Sequence, residues 1–327
     1  MRLLIQLLTV IVTLGLANSL HAQQQWEIPS PEERCPSRWG QGDQLGSANL
    51  VSPERVLRAA RLIQTGQVFS LAFVLSADLP LIEPRRFDLH MKRGTSLTPG
   101  SRGENEEIVI TELGQVGTQL DGFGHQMLGG LYYNCVSDAE MSRGGTGLQL
   151  GGRPGFAMLG VEQIPDMMTR GVLIDVAGLK GVDMLPAGYV ITVDDLQQAL
   201  AQAKVTLEEG DAIMIHTGWG KLYTVEDKDR YLASSPGIGI EAAQWLIEQN
   251  PMILGADNCC LEARPYPEQK VFLPVHALVL IINGIYIVEN LNLNQLAAER
   301  AYESAFIMEI LKIKGGTGST VAPIAVR

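Results

Sequence analysis

Gln115, Gln119, Asp121 and His125 fall within one short run, Gln115-Val-Gly-Thr-Gln-Leu-Asp-Gly-Phe-Gly-His125. Two carboxamides, a carboxylate and an imidazole at these spacings could bind a metal ion and move a proton. In an extended segment side chains at 115, 119 and 121 share a face, because the strand period is two. Gly117, Gly122 and Gly124 let the backbone bend or approach a ligand closely. A plain strand entering a turn could carry Thr or Val on that face. Gln, Asp and His there are costly to bury unless hydrogen-bonded to one another or bound to something.

A second cluster lies downstream, in Pro274-Val-His276 and in Gly284-Ile-Tyr-Ile-Val-Glu289-Asn290-Leu291. His276 ends an apolar approach and Glu289 ends a strand of large apolar residues, where a carboxylate adds nothing to packing. His216 ends the apolar run Ile-Met-Ile-His-Thr-Gly-Trp219. It reads as a substitute ligand, as an oxyanion donor, or as a structural imidazole capping the turn. His90, in a long polar stretch, is a candidate for the entrance to a site. Trp39, Asp43 and Phe123 are candidate walls for a ring-shaped substrate, with core packing the alternative for Trp39.

Several elements must position these groups. Ser52-Pro-Glu-Arg opens a helix with a capping serine and proline at its first position. Helices are expected over 193–204, 239–249 and 294–300, the first announced by Thr192-Val-Asp-Asp195. Strands are expected at Val68–Leu75, Ile108–Leu113, Gly171–Val176, Ala212–Thr217, Met252–Ala256 and Gly284–Glu289. Residues 83–107 read as a polar, irregular loop. Strands alternating with helices argue an α/β fold with a mixed β-sheet and flanking helices. No repeat or linker interrupts 37–327, so one catalytic domain is expected there, preceded by a polar arm over 23–36.

Composition narrows the function classes. The chain has 327 residues, 46% of them hydrophobic, and a formal net charge of −11. That length supports a large core, and acidity without a basic run argues against nucleic acid as a partner. Met1-Arg2 followed by the apolar run Leu3–Leu16 and a small residue at Ala22 reads as a signal peptide over 1–22, with cleavage after Ala17 the alternative. The run is shorter than the roughly 20 residues a spanning helix needs. The mature protein is therefore expected to be secreted or periplasmic, with no stable membrane insertion. In an oxidising compartment Cys35 and Cys135 could pair. Cys259 and Cys260 are neighbours in apolar surroundings that favour buried thiols, and no C-x-x-C pair offers a zinc ribbon.

Taken together, these blocks resemble the cyclase family of metal-dependent hydrolases, which includes bacterial kynurenine formamidases, isatin hydrolases and related lactone-opening enzymes. The family signature is H-x-G-T-H-x-D-x-P-x-H. Gly117, Thr118, Asp121 and His125 match it in register, Gln115 and Gln119 replace its two leading histidines, and Phe123 replaces its proline. Ser37-Arg-Trp-Gly40, Gly255-Ala-Asp-Asn258, Pro274-Val-His276, Glu289-Asn-Leu291 and Lys314-Gly-Gly-Thr-Gly-Ser319 resemble further family blocks, so the likeness spans 37–327.

The resemblance implies a cyclase-like swivelling β/β/α fold, a small-molecule substrate and a homo-oligomer. It also implies divalent-metal ligands at the positions of Gln115, Gln119, Asp121, His276 and Glu289, and an acid–base role for His125. Carboxamides are neutral and weaker donors than imidazoles, which leaves Asp121, His276 and Glu289 as the strong set. Three protein ligands with an open position is the pattern of a catalytic ion, and two carboxylates neutralise one divalent charge. Alpha carbons at 119 and 121 lie about 7 Å apart in a strand, but those at 115 and 119 about 13 Å apart unless Gly117 bends the chain. One divalent ion, Zn or Mn, is therefore expected, with Gln119 as a weak ligand and Gln115 as a hydrogen-bond donor to substrate or water.

Metal-activated water would then open an amide, formamide or lactone bond, as in an arylformamidase-like hydrolase, with His125 carrying the proton. The competing reading is a catalytically inactive ligand-binding protein on the same fold. No G-x-S-x-G elbow supports a serine hydrolase, and the late glycines after Lys314 open no helix that would bind a nucleotide.

Overall fold

Four apolar runs build the centre of the molecule. In the computed structural model, which describes residues 26–94, 99–142, 155–266 and 271–327, they become parallel neighbours. Numbered in chain order, the first strands are β1 (Val68–Ser70), β2 (Phe87–Gly94), β3 (Glu104–Thr111), β4 (Gln119–Asp121) and β5 (Met167–Asp175). Next come β6 (Val190–Ile191), β7 (Ala212–His216), β8 (Gly237–Ile238) and β9 (Ile253–Ala256). The last are β10 (Tyr286–Glu289), β11 (Glu303–Met308), β12 (Gly318–Thr320) and β13 (Ile324–Val326).

Nine of these strands form one mixed sheet in the order β1-β13-β11-β5-β7-β9-β10-β4-β12. β5, β7, β9 and β10 run parallel, and the flanking pairs are antiparallel. β7, β9 and β10 are buried along their whole length, as expected of parallel strands covered on both faces. The fold is therefore α/β with a mixed sheet and flanking helices. The helix Pro53–Ala60 begins at Ser52, whose hydroxyl accepts from the Arg55 amide. Val193–Ala203 begins with a capping box between Thr192 and Asp195, and Ile240–Glu248 and Asn294–Ala298 fall within their expected ranges.

Two local expectations are corrected. The stretch read as an irregular loop contains a hairpin, β2 paired with β3. Most of its residues are exposed, so no buried face stamps an alternation on its sequence. Val68–Leu75 shortens to the three residues of β1, and Ala277–Ile282, after His276, is a π-helical turn. The expected signal segment, 1–22, lies outside the described residues. Among the described residues no helix is long and apolar enough to cross a membrane. Cys35 and Cys135 are joined by a disulfide, while Cys259 and Cys260 are free and buried.

Candidate metal centre

Strand register brings the two halves of the site together. β4 is antiparallel to β10, with Gln119 opposite Glu289 and Asp121 opposite Ile287. Directly opposed residues project to one side, so Gln119, Asp121 and Glu289 share a face. Leu120 and Val288 fill the other side and are fully buried. β12 places Gly318 opposite Asp121, and its lack of a side chain admits the close approach of the Gly114 backbone, whose carbonyl oxygen would lie 3.0 Å from a Cβ there. Gly117 has φ +75°, and a Cβ there would lie 2.3 Å from Leu75 Cδ2. The bend at Gly117 folds Gln115 back, so that its Nε2 lies 2.8 Å from Asp121 Oδ1.

His276 arrives from the short helix Pro274–His276. Glu262, fully buried, receives the amide of His276 at 3.0 Å and that of Val275 at 3.2 Å. Its Oε1 also lies 2.9 Å from His276 Nδ1. The opposite ring nitrogen, Nε2, is 3.0 Å from Glu289 Oε1 and 3.5 Å from Asp121 Oδ2.

A carboxamide anchors one oxygen of each of the carboxylates of Asp121 and Glu289. Gln115 occupies Asp121 Oδ1, and Gln119 Nε2 occupies Glu289 Oε2 at 2.8 Å. Asp121 Oδ2 is buried with no hydrogen-bond partner. The ligand atoms of Asp121, His276 and Glu289 lie within 4.8 Å of one another. Three converging donors, one an unsatisfied buried oxygen, fit a divalent cation, and the Glu262–His276 contact is the usual support of a metal-bound imidazole.

Electrostatics point the same way. Burial pulls the His276 pKa down, but the hydrogen bonds its ring donates to Asp121, Glu262 and Glu289 outweigh it and hold the ring well above the usual imidazole range. Burial, reinforced by the Asp121 charge, pushes Glu289 up to about 8 despite His276. Burial also works to raise Asp121, yet His125, His276 and the Gln115 hydrogen bond leave it lowered. The cluster thus holds protons on His276 and Glu289 that a divalent ion would replace.

The site opens into a cavity of about 760 Å³ lined by Gln115, His125, His276 and Glu289. Ile28, Ile82, Met127, Leu128 and Phe272 form its apolar walls, and Arg85, Arg264, Cys259 and Cys260 line it as well. Ile28 belongs to the N-terminal arm, which the Cys35–Cys135 disulfide ties down. His125 follows a turn closed by its amide onto Gly122 O at 2.9 Å. Burial, together with the charges of His276 and Arg85, lowers the His125 pKa against the pull of Asp121, so the ring is neutral at neutral pH.

The structure therefore gathers Gln115, Gln119, Asp121, His125, His276 and Glu289. Gln119, expected as a weak metal ligand, presents its amide nitrogen to Glu289 Oε2 at 2.8 Å and to Gln115 Oε1 at 3.3 Å. Four other candidates stand elsewhere. His216 Nδ1 is 2.7 Å from Asp175, which ties the ends of β5 and β7, while its buried Nε2 has no hydrogen-bond partner and lies 3.8 Å from Asp257. Burial works to lower its pKa, but these aspartates raise it. His90 pairs with Ile108 on the exposed hairpin. Phe123 is buried and stacks on Tyr286 at 4.3 Å. Trp39 packs on the main core beneath the Arg38 guanidinium.

Sequence reasoning missed Glu262, Arg85 and Arg264. Leu261-Glu-Ala-Arg264 carries no pattern that separates a buried carboxylate from a surface one, and Arg85 sits in the stretch taken for a loop. Asn290 was noticed only as part of a block. Its φ of +54° lets its side chain bond Gly117 O at 2.9 Å, fixing the bend that delivers Gln115.

The Cyclase family model matches residues 69–263. The chain is also similar to a crystal structure described as a novel cyclase, with 35% identity over 89% of this chain and 99% of that one and a TM-score of 0.79. Isatin hydrolase A from Ralstonia solanacearum shares the fold at 22% identity and TM-score 0.58, covering 85% of this chain and 98% of its own. An isatin hydrolase bound to the product analogue thioisatinate does so at 18% identity and TM-score 0.57, covering 84% and 98%. No curated protein matches the chain. Both the family model and the 35% identity across most of its length place the same stretch, and the chain belongs to the Cyclase family.

Proposed function

We propose that this protein is a metal-dependent hydrolase that opens an amide, formamide or lactone bond in a small ring-bearing substrate. The observation that carries the reading is the convergence of Asp121 Oδ2, His276 Nε2 and Glu289 Oε1, with His276, Glu289 and His125 lining one cavity. The isatin hydrolases of the same fold support the choice of a cyclic amide among the candidate substrates.

A divalent ion, Zn or Mn, would supply Lewis acidity to the scissile carbonyl and to water. Asp121, His276 and Glu289 are the residues that would hold a single such ion, with Gln115 and Gln119 fixing the two carboxylates and Glu262 fixing the ring. His125, neutral because burial depresses its pKa, takes a proton at its ring nitrogen and returns it to the leaving nitrogen or oxygen. Ile82, Met127, Leu128 and Phe272 receive the apolar part of the substrate. Hydrolysis of any of these bonds leaves a carboxylate. Arg85, which has no ion-pair partner among the described residues, faces the cavity as its counter-charge.

Export and self-association belong to the same reading. The Cys35–Cys135 disulfide supports an oxidising compartment, secreted or periplasmic. Exposed Leu89, Met91, Ile108, Val109 and Ile110 on the β2–β3 hairpin support a homo-oligomer, which light scattering would measure. The functional test is a hydrolysis screen of N-formyl anilines, isatin-like lactams and small lactones with zinc or manganese added separately. Turnover of at least one class that chelation removes and metal restores is expected. Turnover of none, by metal-loaded protein, would favour the inactive binding protein.

A further inference from the structure

Cys259 and Cys260 have no part in the metal centre, yet both line its cavity. Their sulfurs are 3.0 Å apart. The Arg264 guanidinium lies 2.9 Å from Cys259 Sγ and 3.5 Å from Cys260 Sγ, with its other nitrogen on Leu232 O at 3.4 Å. With the Asp121, His276 and Glu289 ligand atoms gathered separately, the two thiols form a cluster of their own. A cation on one sulfur and a thiol hydrogen available from the other is the environment that favours thiolate over thiol.

We propose that Cys259 is a nucleophilic thiol-modification site on the cavity wall, and that its reaction partner is a low-molecular-weight disulfide. The Cys259 thiolate attacks one sulfur of the disulfide. The sulfur–sulfur bond of the reagent breaks, a new one forms to Cys259, and the departing half leaves as a thiolate with the bonding pair. The reagent disulfide is the oxidant, its departing sulfur being reduced to thiolate as the Cys259 sulfur is oxidised, and a reducing thiol reverses the step. Cys260 donates its hydrogen to Cys259 before attack, and Arg264 balances the thiolate charge. Adjacent residues close only a strained ring, so the mixed disulfide is the product that persists. Its bulk stands in the cavity that leads to Asp121, His276 and Glu289.

The electrostatics support this assignment. The Cys260 hydrogen bond and the Arg264 charge outweigh burial and bring Cys259 down to about 6. Cys260 is raised well above the usual thiol range by Cys259 and by burial. Glu289 and the phenols of Tyr223 and Tyr231 also bear on the pair, and Arg85, His125 and His276 line the same cavity.

The test treats the purified full-length protein with bis-hydroxyethyl disulfide at pH 6 and maps the adduct by peptide mass. One hydroxyethylthio group on Cys259 is expected, formed at least about tenfold faster than on the same peptide in unfolded chain. Cys260→Ser, whose hydroxyl can still donate, should keep the adduct, and Arg264→Gln should slow it. The wild-type map needs no variant to fold. No adduct, an adduct on Cys260, or a rate equal to that of the unfolded peptide would each overturn the proposal. Because labelling is read by mass, its failure is independent of whether the protein hydrolyses anything.

Discussion

Glu262 Oε1 and His276 Nδ1 lie 2.9 Å apart, and the same carboxylate receives the His276 backbone amide. One buried glutamate thereby fixes both the ring and the turn that carries it. The ring nitrogen pointing at Asp121 and Glu289 is Nε2, because Nδ1 is already engaged. Replacing Glu262 by Gln keeps the size but weakens the acceptor. The expected result is a loss of metal affinity of about 10- to 100-fold, measured by competition with a chelator, with the fold retained by circular dichroism. Unchanged affinity would mean that the contact serves the backbone alone.

Much of this centre was legible in the sequence, for identifiable reasons. Register within 115–125 survives because a strand, a bend at Gly117 and a turn at Gly122 demand fixed spacing. His276 and Glu289 stood out as polar groups where packing wanted apolar ones. Glu262 was invisible because its burial comes from the distant turn at Pro274, and a lone glutamate reads as surface. His216 was ambiguous for the opposite reason. An imidazole at a strand end looks the same whether it serves a reaction or, as here, ties the ends of two strands through Asp175. The β2–β3 hairpin escaped because neither of its faces is buried along its length.

Metal binding should displace protons. The His276–Glu289 pair retains protons near neutrality, since Glu289 is raised to about 8 and His276 is held well above its usual range. Protons compete with the ion at these atoms, so affinity should rise as pH increases toward and through 8. Calorimetry in buffers of different ionisation enthalpy should register proton release at pH 7. An affinity that falls with rising pH over pH 6–8 would contradict this assignment.

His125 should matter for turnover and not for the ion. His125→Ala is expected to lose about 10²- to 10⁴-fold in kcat while its metal content stays at the wild-type level. The lowered pKa sets the direction of the pH profile. His125 must be neutral to accept a proton, so activity should fall with acid, at a midpoint below the ordinary imidazole value of about 6.5. Full activity in His125→Ala would remove the residue from the mechanism.

Gln115 and Gln119 are where the chain departs from the two-histidine pattern. Their amide nitrogens hold Asp121 and Glu289 and leave one oxygen of each for an ion. Converting both positions together, Gln115→His with Gln119→His, replaces two donors of hydrogen bonds by two strong nitrogen ligands. The double variant should bind more than one zinc per chain by elemental analysis, whereas the wild type should bind one. Equal stoichiometry in both proteins would show that the glutamines do not set the number of ions.

Metal stoichiometry tests the central claim most directly. Wild-type protein, loaded with zinc or manganese and freed of loose ions, should hold about one ion per chain. Asp121→Ala, His276→Ala and Glu289→Ala, confirmed as folded, should each lose it. Retention of the ion by all three variants, or a wild type that stays empty after loading, would contradict a metal centre built from Asp121, His276 and Glu289.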